Sequence, residues 1–447
     1  MTSKPIYRHD QPVNKPPRWP LYALAGVLLV ALGAGYCSRH HGQNALNTSR
    51  TVSPMVTATP AGGAGQVLGI DGVTNFTAAQ AQALSKQNYG AVAPVITTGI
   101  TKVTFHYRSI DLNGAPITVY GRAYFPNNDN NNLPIFAFAP GTTGVGPQCA
   151  ASLENVATAS WGNYDSHMVT YASQGYAAVT TDYEGMRDPG HLHHYMVGPL
   201  EGRAVLDSIR ALGQLSQSKG RLDQSSVFVA GYSQGGHAAF WADTINASYA
   251  PDIKLSGVIG YGPVLSVEET MNDVTRGSIL NWFGPYVLVS YADYYHQNYN
   301  PDAILQPRFA ATLTADVTSH CVDTAYSFWG HDPSKVYTPP YLSAIQNGTL
   351  GQLYPELLHD LQQNATGTEA TTTAKLINQG HYDNVVLPAQ AQAALPSMCR
   401  ASKGPVTLKL YPSATHFNTM VVSLNDTLAW MKQVTDGDKI TSTCPAS

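Results

Sequence analysis

The sequence predicts an α/β protein, with a mostly parallel central sheet flanked by helices and a region inserted late in the chain. Three observations carry this expectation. From LPIFAFA onward, short apolar runs rich in β-branched residues alternate with segments of helical period, as in a sheet whose crossovers are helices. The rhythm breaks at about residues 267–370 into aromatic and proline-rich sequence such as LNWFGPYVLVSYADYYHQNYN, which reads as an insertion. Alternation then resumes to the end of the chain.

Taken in order, Thr77 to Lys86 has helical character, and TKVTFHYRSIDLNGAPITVYGRAYFP alternates apolar and polar residues around Asn113-Gly114, a strong hairpin signal. LPIFAFAPGTTG is a buried strand ending in a glycine-rich loop, and a helix follows around Tyr164 to Gly175. YAAVTTDYEGM is the next strand. In GPLEGRAVLDSIRALGQL, Leu200, Ala204, Val205, Ile209 and Leu212 fall at helical spacing. SSVFVAGYSQGG supplies a strand and turn before a helix through Thr244, and IKLSGVIGYGPVL another strand. After the insertion come strands in AKLINQGHYDNVVLP and VTLKLYPSATHF and a closing helix from about Asn418 to Gln433.

Composition narrows the function. Lysine and arginine total 25 against 29 aspartates and glutamates, a net charge of −4, so no basic field exists to hold a polyanion and nucleic acid is not expected as a partner. Ahead of LYALAGVLLVALGAGY (Leu21 to Tyr36) stand Lys4, Arg8, Lys15 and Arg18, so residues 1–37 read as an export signal or an N-terminal membrane anchor. As a helix the run rises roughly 24 Å, short of the roughly 30 Å hydrocarbon core; Gly33, Ala34 and Gly35 favour cleavage, whereas Trp19, Tyr22 and Tyr36 favour an anchor. Residues 38–66, rich in Ser, Thr, Ala, Gly and Pro, read as a flexible spacer, and residues 67–447 as the folded domain. Cys149, Cys321, Cys399 and Cys444 allow two disulfides in an oxidising, extracytoplasmic compartment. Spacing alone leaves their pairing open.

The chemistry is concentrated at turns. Gly231-Tyr232-Ser233-Gln234-Gly235 fits G-x-S-x-G between a strand and a helix, a turn so sharp that its flanks must be glycine and its serine oxygen is presented at a helix N-terminus. A serine nucleophile needs a base, and the base an orienting acid, in the chain order Ser, acid, His. His416, in the loop after a late strand, is the expected base, and Asp383, after the preceding strand, the expected acid; Asp360 and Glu369 come before that strand. The oxyanion needs N–H donors, one from the residue after the nucleophile, Gln234, and one from the PGTTG loop, with Thr142 and Thr143 both open. The histidines of DPGHLHHY lack metal-ligand spacing, so no metal is expected there. No cofactor is expected either, since acyl transfer by such a triad requires none.

Together PGTTG with Cys149 soon after, DYEGM with a following H-x-Y, the EGRAVLDSIRA helix, GYSQGG, QGHYDNVV and ATHF resemble the secretory lipase family of the α/β-hydrolase superfamily, from about residue 85 to the end. The resemblance implies an α/β-hydrolase fold, a cap or lid at the insertion, Ser233, Asp383 and His416 as triad, and the pairings Cys149 with Cys321 and Cys399 with Cys444. The threonines of PGTTG depart from it, standing where lipase A of that family offers an aspartate.

The expected function is hydrolysis of a small-molecule or lipid ester by a secreted or membrane-anchored serine hydrolase, through an acyl-enzyme intermediate. Two alternatives are an α/β-hydrolase peptidase, a class that usually carries a propeller or an acidic amine-binding pair and for which no propeller repeat is seen, and a non-catalytic surface binding protein on a hydrolase scaffold.

Overall fold

A computed structural model describes residues 63–128, 132–216 and 222–444. The apolar run at 21–36 and nearly all of the spacer lie outside the described residues, and no helix among the described residues is long and apolar enough to cross a membrane.

The strands are β1 (Val67–Phe76), β2 (Ile100–Ile110), β3 (Pro116–Pro126), β4 (Leu133–Ala139), β5 (Ala177–Thr181), β6 (Leu222–Tyr232), β7 (Leu255–Tyr261), β8 (Ala374–Gly380) and β9 (Val406–Tyr411). They form a 9-stranded sheet in the order β1-β2-β3-β5-β4-β6-β7-β8-β9. The pairs β1·β2, β2·β3 and β3·β5 are antiparallel, and every pair from β5·β4 to β8·β9 is parallel. The hairpin β2–β3 turns at Gly114 (φ 87°), where Asp111 Oδ1 accepts the amides of Asn113 and Ala115. One strand is additional to the sequence reading: β1, an exposed edge strand added outside the hairpin.

Helices α1 (Ala78–Tyr89), α2 (Tyr164–Ser173), α3 (Gly198–Leu215) and α4 (Gln234–Tyr249) cover the sheet, α4 running past the expected end at Thr244. Successive strand residues point to opposite faces, so each central strand feeds two cores. Ile135, Ala137, Val227 and Val229 pack under α3 and α4, while Phe136, Phe138, Phe228 and Ala230 pack against α1, α2 and Trp430. The Phe136 ring stacks on Tyr171 at 3.9 Å between centroids.

Between β7 and β8 the chain forms short helices: α5 (Val267–Asn272), α6 (Phe283–Tyr295), α7 (Pro301–Ile304), α8 (Pro307–Ala310), α9 (Leu313–Ser319), α10 (Val322–Trp329), α11 (Pro339–Gln346), α12 (Leu350–Leu353) and α13 (Pro355–Gln363). Their aromatic core, including Trp282, Phe283, Tyr286, Tyr337 and Tyr341, is continuous with Tyr195, Met196 and Leu200. Proline at the first turn of several of these helices explains why a proline-rich sequence is helical: there the missing N–H has no intrahelical partner to lose. Beyond the insert, α14 (Pro388–Ala401) connects β8 to β9, and α15 (Thr419–Val422) and α16 (Leu424–Asp436) close the chain. Cys149 is bonded to Cys321 and Cys399 to Cys444, the pairing that the resemblance implied.

Candidate active site

Because β6, β7, β8 and β9 are parallel, their C-terminal ends share one edge of the sheet, where an open α/β sheet forms its crevice. Ser233 follows β6, Asp383 follows β8 and His416 follows β9, so the topology delivers all three side chains to that edge.

Ser233 joins β6 to α4 at φ 56°, ψ −116°, a backbone conformation costly for any residue with a Cβ. Its flanking glycines are sterically required. A Cβ on Gly231 would lie 1.8 Å from the Gly235 carbonyl oxygen, and one on Gly235 would lie 1.9 Å from that of Ala139. The turn is held by the Ser233 amide, which donates to the Tyr261 carbonyl at 3.0 Å.

His416 Nδ1 lies 2.8 Å from Asp383 Oδ2, and both residues are buried. Asp383 Oδ1 accepts the amides of Val385 and Val386, each at 2.9 Å, and Gln379 Nε2 donates to Oδ2 at 3.0 Å. The acid is therefore fixed in place and keeps one oxygen on the imidazole. Ser233 is joined to this pair through its neighbours: the Tyr232 ring packs 4.8 Å from that of His416, and a Cβ on Gly262, just after Tyr261, would sit 3.0 Å from both Asp383 Oδ2 and His416 Nδ1. The alternative acids are engaged elsewhere, Asp360 with Tyr299 and Gln363, Glu369 with Thr244 and Gly367. His381 is exposed in the turn after β8.

Gln234 is the first residue of α4, so its N–H has no intrahelical acceptor. The PGTTG loop packs directly on the serine turn, since a Cβ on Gly141 would lie 2.7 Å from the Tyr232 ring. The two threonines differ. The Thr142 hydroxyl is 2.8 Å from the hydroxyl of Tyr195, whereas the Thr143 carbonyl accepts the amide of Val322, at the start of α10, at 2.8 Å. The Cys149–Cys321 bridge ties the same loop to the same helix.

Behind the turn lies a polar cluster that the sequence reading left unassigned: Glu201, His237 and His193, all buried, with Gln234 among them. The only signal for it in the sequence is a carboxylate inside the apolar stripe of α3. In the DPGHLHHY loop, His191 pairs with Asp188, His193 Nδ1 donates to the Glu184 carbonyl at 3.1 Å, and His194 lies between Glu184 at 3.0 Å and Asp293 of α6 at 2.9 Å. Burial holds the His193 imidazole below its ordinary pKa in spite of Glu201 and Glu184. A cleft of about 1110 Å³ runs between this loop and the insert, lined by Leu192, His194, Leu288, Asp293 and Thr318 among others; Ser233, Asp383 and His416 do not line it.

Comparison with known proteins gives one family and one fold. The secretory lipase family matches residues 151–443, well over half of the chain. Lipase A of Moesziomyces aphidis is 25% identical over 275 residues, 59% of this chain and 55% of that protein. Lipase 1 of Candida albicans is 31% identical over 170 residues, 37% of this chain and 34% of that one. The matches thus span about half or less of these curated relatives. Among solved structures, the rice cell wall degrading esterase LipA of Xanthomonas oryzae aligns with a TM-score of 0.69 at 22% identity, covering 84% of this chain and 100% of that one. Candida antarctica lipase A in its closed state aligns with a TM-score of 0.63 at 18% identity, covering 85% and 84%. At these identities the likeness establishes the α/β-hydrolase fold.

Proposed function

This chain belongs to the secretory lipase family, and from that premise we propose that it hydrolyses carboxylic esters with Ser233, His416 and Asp383 as its catalytic triad. Ser233 Oγ attacks the acyl carbonyl while His416 Nε2 takes its proton. Asp383, bonded to Nδ1, sets the tautomer and stabilises the imidazolium that forms. The tetrahedral oxyanion is met by the Gln234 amide and by a donor from the Thr142–Thr143 segment, the Thr143 amide being our choice because the Thr142 hydroxyl faces Tyr195. Collapse expels the alcohol, which receives the proton from His416, and leaves an acyl-serine; water, activated by the same histidine, then releases the acid.

The observation that carries this reading is the buried Asp383–His416 hydrogen bond at the sheet edge where the serine turn also ends. The relatives' names support lipase or esterase substrates, and the aromatic interior of the insert suits an apolar acyl group. On this reading the insert at about 267–370 is the cap of the acyl site. The disulfides and the family support an extracytoplasmic location, to which the apolar run at 21–36 would direct the chain, as a cleaved signal or a retained anchor.

The test is hydrolysis of p-nitrophenyl esters from acetate to palmitate by the protein and its Ser233→Ala variant, with fluorophosphonate labelling alongside. Serine-dependent turnover and labelling at Ser233 are expected, and the chain-length profile sorts esterase from lipase. A folded protein that neither turns over any ester nor takes the label would refute the reading.

A further inference from the structure

The side chains of the cluster behind the serine turn have no part in the chemistry just described, yet their connectivity is specific. Glu201 of α3 is 1% exposed. Its Oε1 accepts from Gln234 Nε2 at 2.7 Å and from the Met196 amide at 3.1 Å, and its Oε2 accepts from His237 Nδ1 at 2.7 Å. The neighbours of this carboxylate are all donors, so an acceptor-only group is the side chain that satisfies them. Gln234 Nε2 also donates to His193 Nε2 at 2.8 Å, and His193 is fixed in turn by the bond from its Nδ1 to the Glu184 carbonyl. The Gln234 side chain is therefore gripped between two anchored acceptors.

The frame around this grip is rigid. Helices α3 and α4 touch backbone to backbone, since a Cβ on Gly202 would lie 2.9 Å from the Ala242 amide nitrogen and one on Gly198 would overlap the Trp241 indole at 2.0 Å. His237 is locked on its other side by the Asn364 carbonyl, 2.8 Å from Nε2. The residue so held is the one that directly follows Ser233.

We propose that Glu201 is a positioning residue: through the Gln234 side chain it fixes the peptide unit between Ser233 and Gln234, whose N–H receives the oxyanion. The proposal rests on the reading of Ser233 as nucleophile. A carboxylate this deeply buried costs free energy unless every lone pair is used, and here its hydrogen bonds go to the start of α4 and to the loop before α3, whose Tyr195 hydroxyl meets that of Thr142. Oxyanion stabilisation depends on donors that are aimed before the charge develops, and misplacement by about 1 Å costs up to about a hundredfold.

The test compares ester hydrolysis by the parent, Glu201→Ala, Gln234→Met and the double variant, with thermal unfolding and the rate of Ser233 phosphonylation by a fluorophosphonate measured on each. Either single change is expected to lower kcat roughly ten- to hundredfold with KM within about twofold of the parent. Phosphonylation should slow in step, since it passes through a similar anionic centre. The double variant should be no slower than the slower single variant, because both changes cut the same link. Glu201→Gln, which keeps an acceptor for Gln234, should recover part of the lost kcat. A folded Gln234→Met with parental kcat overturns the proposal even if Glu201→Ala does not fold, and so do losses that add in the double variant. A parent that is neither active nor labelled at Ser233 removes the triad reading and this proposal with it, a result told apart by the parent alone.

Discussion

Asp383 holds the His416 imidazole with one carboxylate oxygen and the amides of Val385 and Val386 with the other, so that the orientation of the acid is set by the backbone beyond β8. Asp383→Asn should keep the fold while allowing the wrong imidazole tautomer. We expect kcat for ester hydrolysis to fall by roughly 10³- to 10⁴-fold with the thermal midpoint little changed. Retention of more than a tenth of parental kcat would place the orienting acid elsewhere.

Ser233 carries its side chain at φ 56°, where glycine pays no steric cost. Ser233→Gly should therefore abolish activity and raise stability by about 1 kcal/mol or more over Ser233→Ala, which keeps the Cβ. Denaturant unfolding of the two inactive variants measures the difference, and equal midpoints would show that the turn is unstrained. Gly235→Ala should act in the opposite direction, costing roughly 1–3 kcal/mol, since its Cβ would meet the immovable Ala139 carbonyl.

His194 links the core to the insert through Glu184 and Asp293. Burial alone would lower its pKa, but the hydrogen bonds and charges of those two carboxylates outweigh burial and leave it raised. The protonated ring is thus favoured in the folded state. Its contribution is fully present below the unfolded value of about 6.5 and is lost as pH rises through the higher folded value. The stability gap between the parent and His194→Gln should accordingly be widest below about pH 6.5 and narrow on the alkaline side. A gap that widens with pH would contradict this assignment.

The two disulfides close loops of different size, with sequence separations of 172 and 45. On loop entropy alone, replacing Cys149 and Cys321 by alanine should destabilise the protein by about 1 kcal/mol more than replacing Cys399 and Cys444. Guanidinium unfolding of the two double variants gives the comparison. Because the first bridge also steadies the threonine loop, its loss should lower kcat as well, whereas loss of the second should not.

The sequence made the central strands and the serine turn legible because periodicity and glycine sterics act locally: Gly231 and Gly235 announce the turn whatever surrounds it. Asp383 and His416 could be chosen by position relative to strands, which the parallel topology then brought to one edge. β1 was not legible, since VLGIDGVTNF is exposed along most of its length and has glycines where an alternating pattern would show. Nor was α14, whose alanines and glutamines bury little beyond Gln390, Ala391 and Met398. Glu201 was hidden for another reason. It sits within the stripe of Leu200, Ala204 and Val205, and only its partners on α4 and in the loop before α3 distinguish it from a solvent-facing glutamate. The choice between Thr142 and Thr143 likewise depends on Tyr195 and Val322, which are far away in sequence.

The insert leaves the sheet after β7 and returns at β8, but it is also pinned partway along, by the Cys149–Cys321 bridge and by the Val322 amide on the Thr143 carbonyl. The stretches on either side of this tie, α5 to α9 and α10 to α13, are braced against each other: the Tyr337 hydroxyl donates to the Asn281 carbonyl, the Thr338 hydroxyl to that of Ala303 and the Tyr299 hydroxyl to Asp360, over one shared aromatic core. The insert is therefore a braced arch with its keystone at residue 321, and a load on any of its helices reaches the threonine loop through the Cys149–Cys321 bridge and the Val322–Thr143 hydrogen bond.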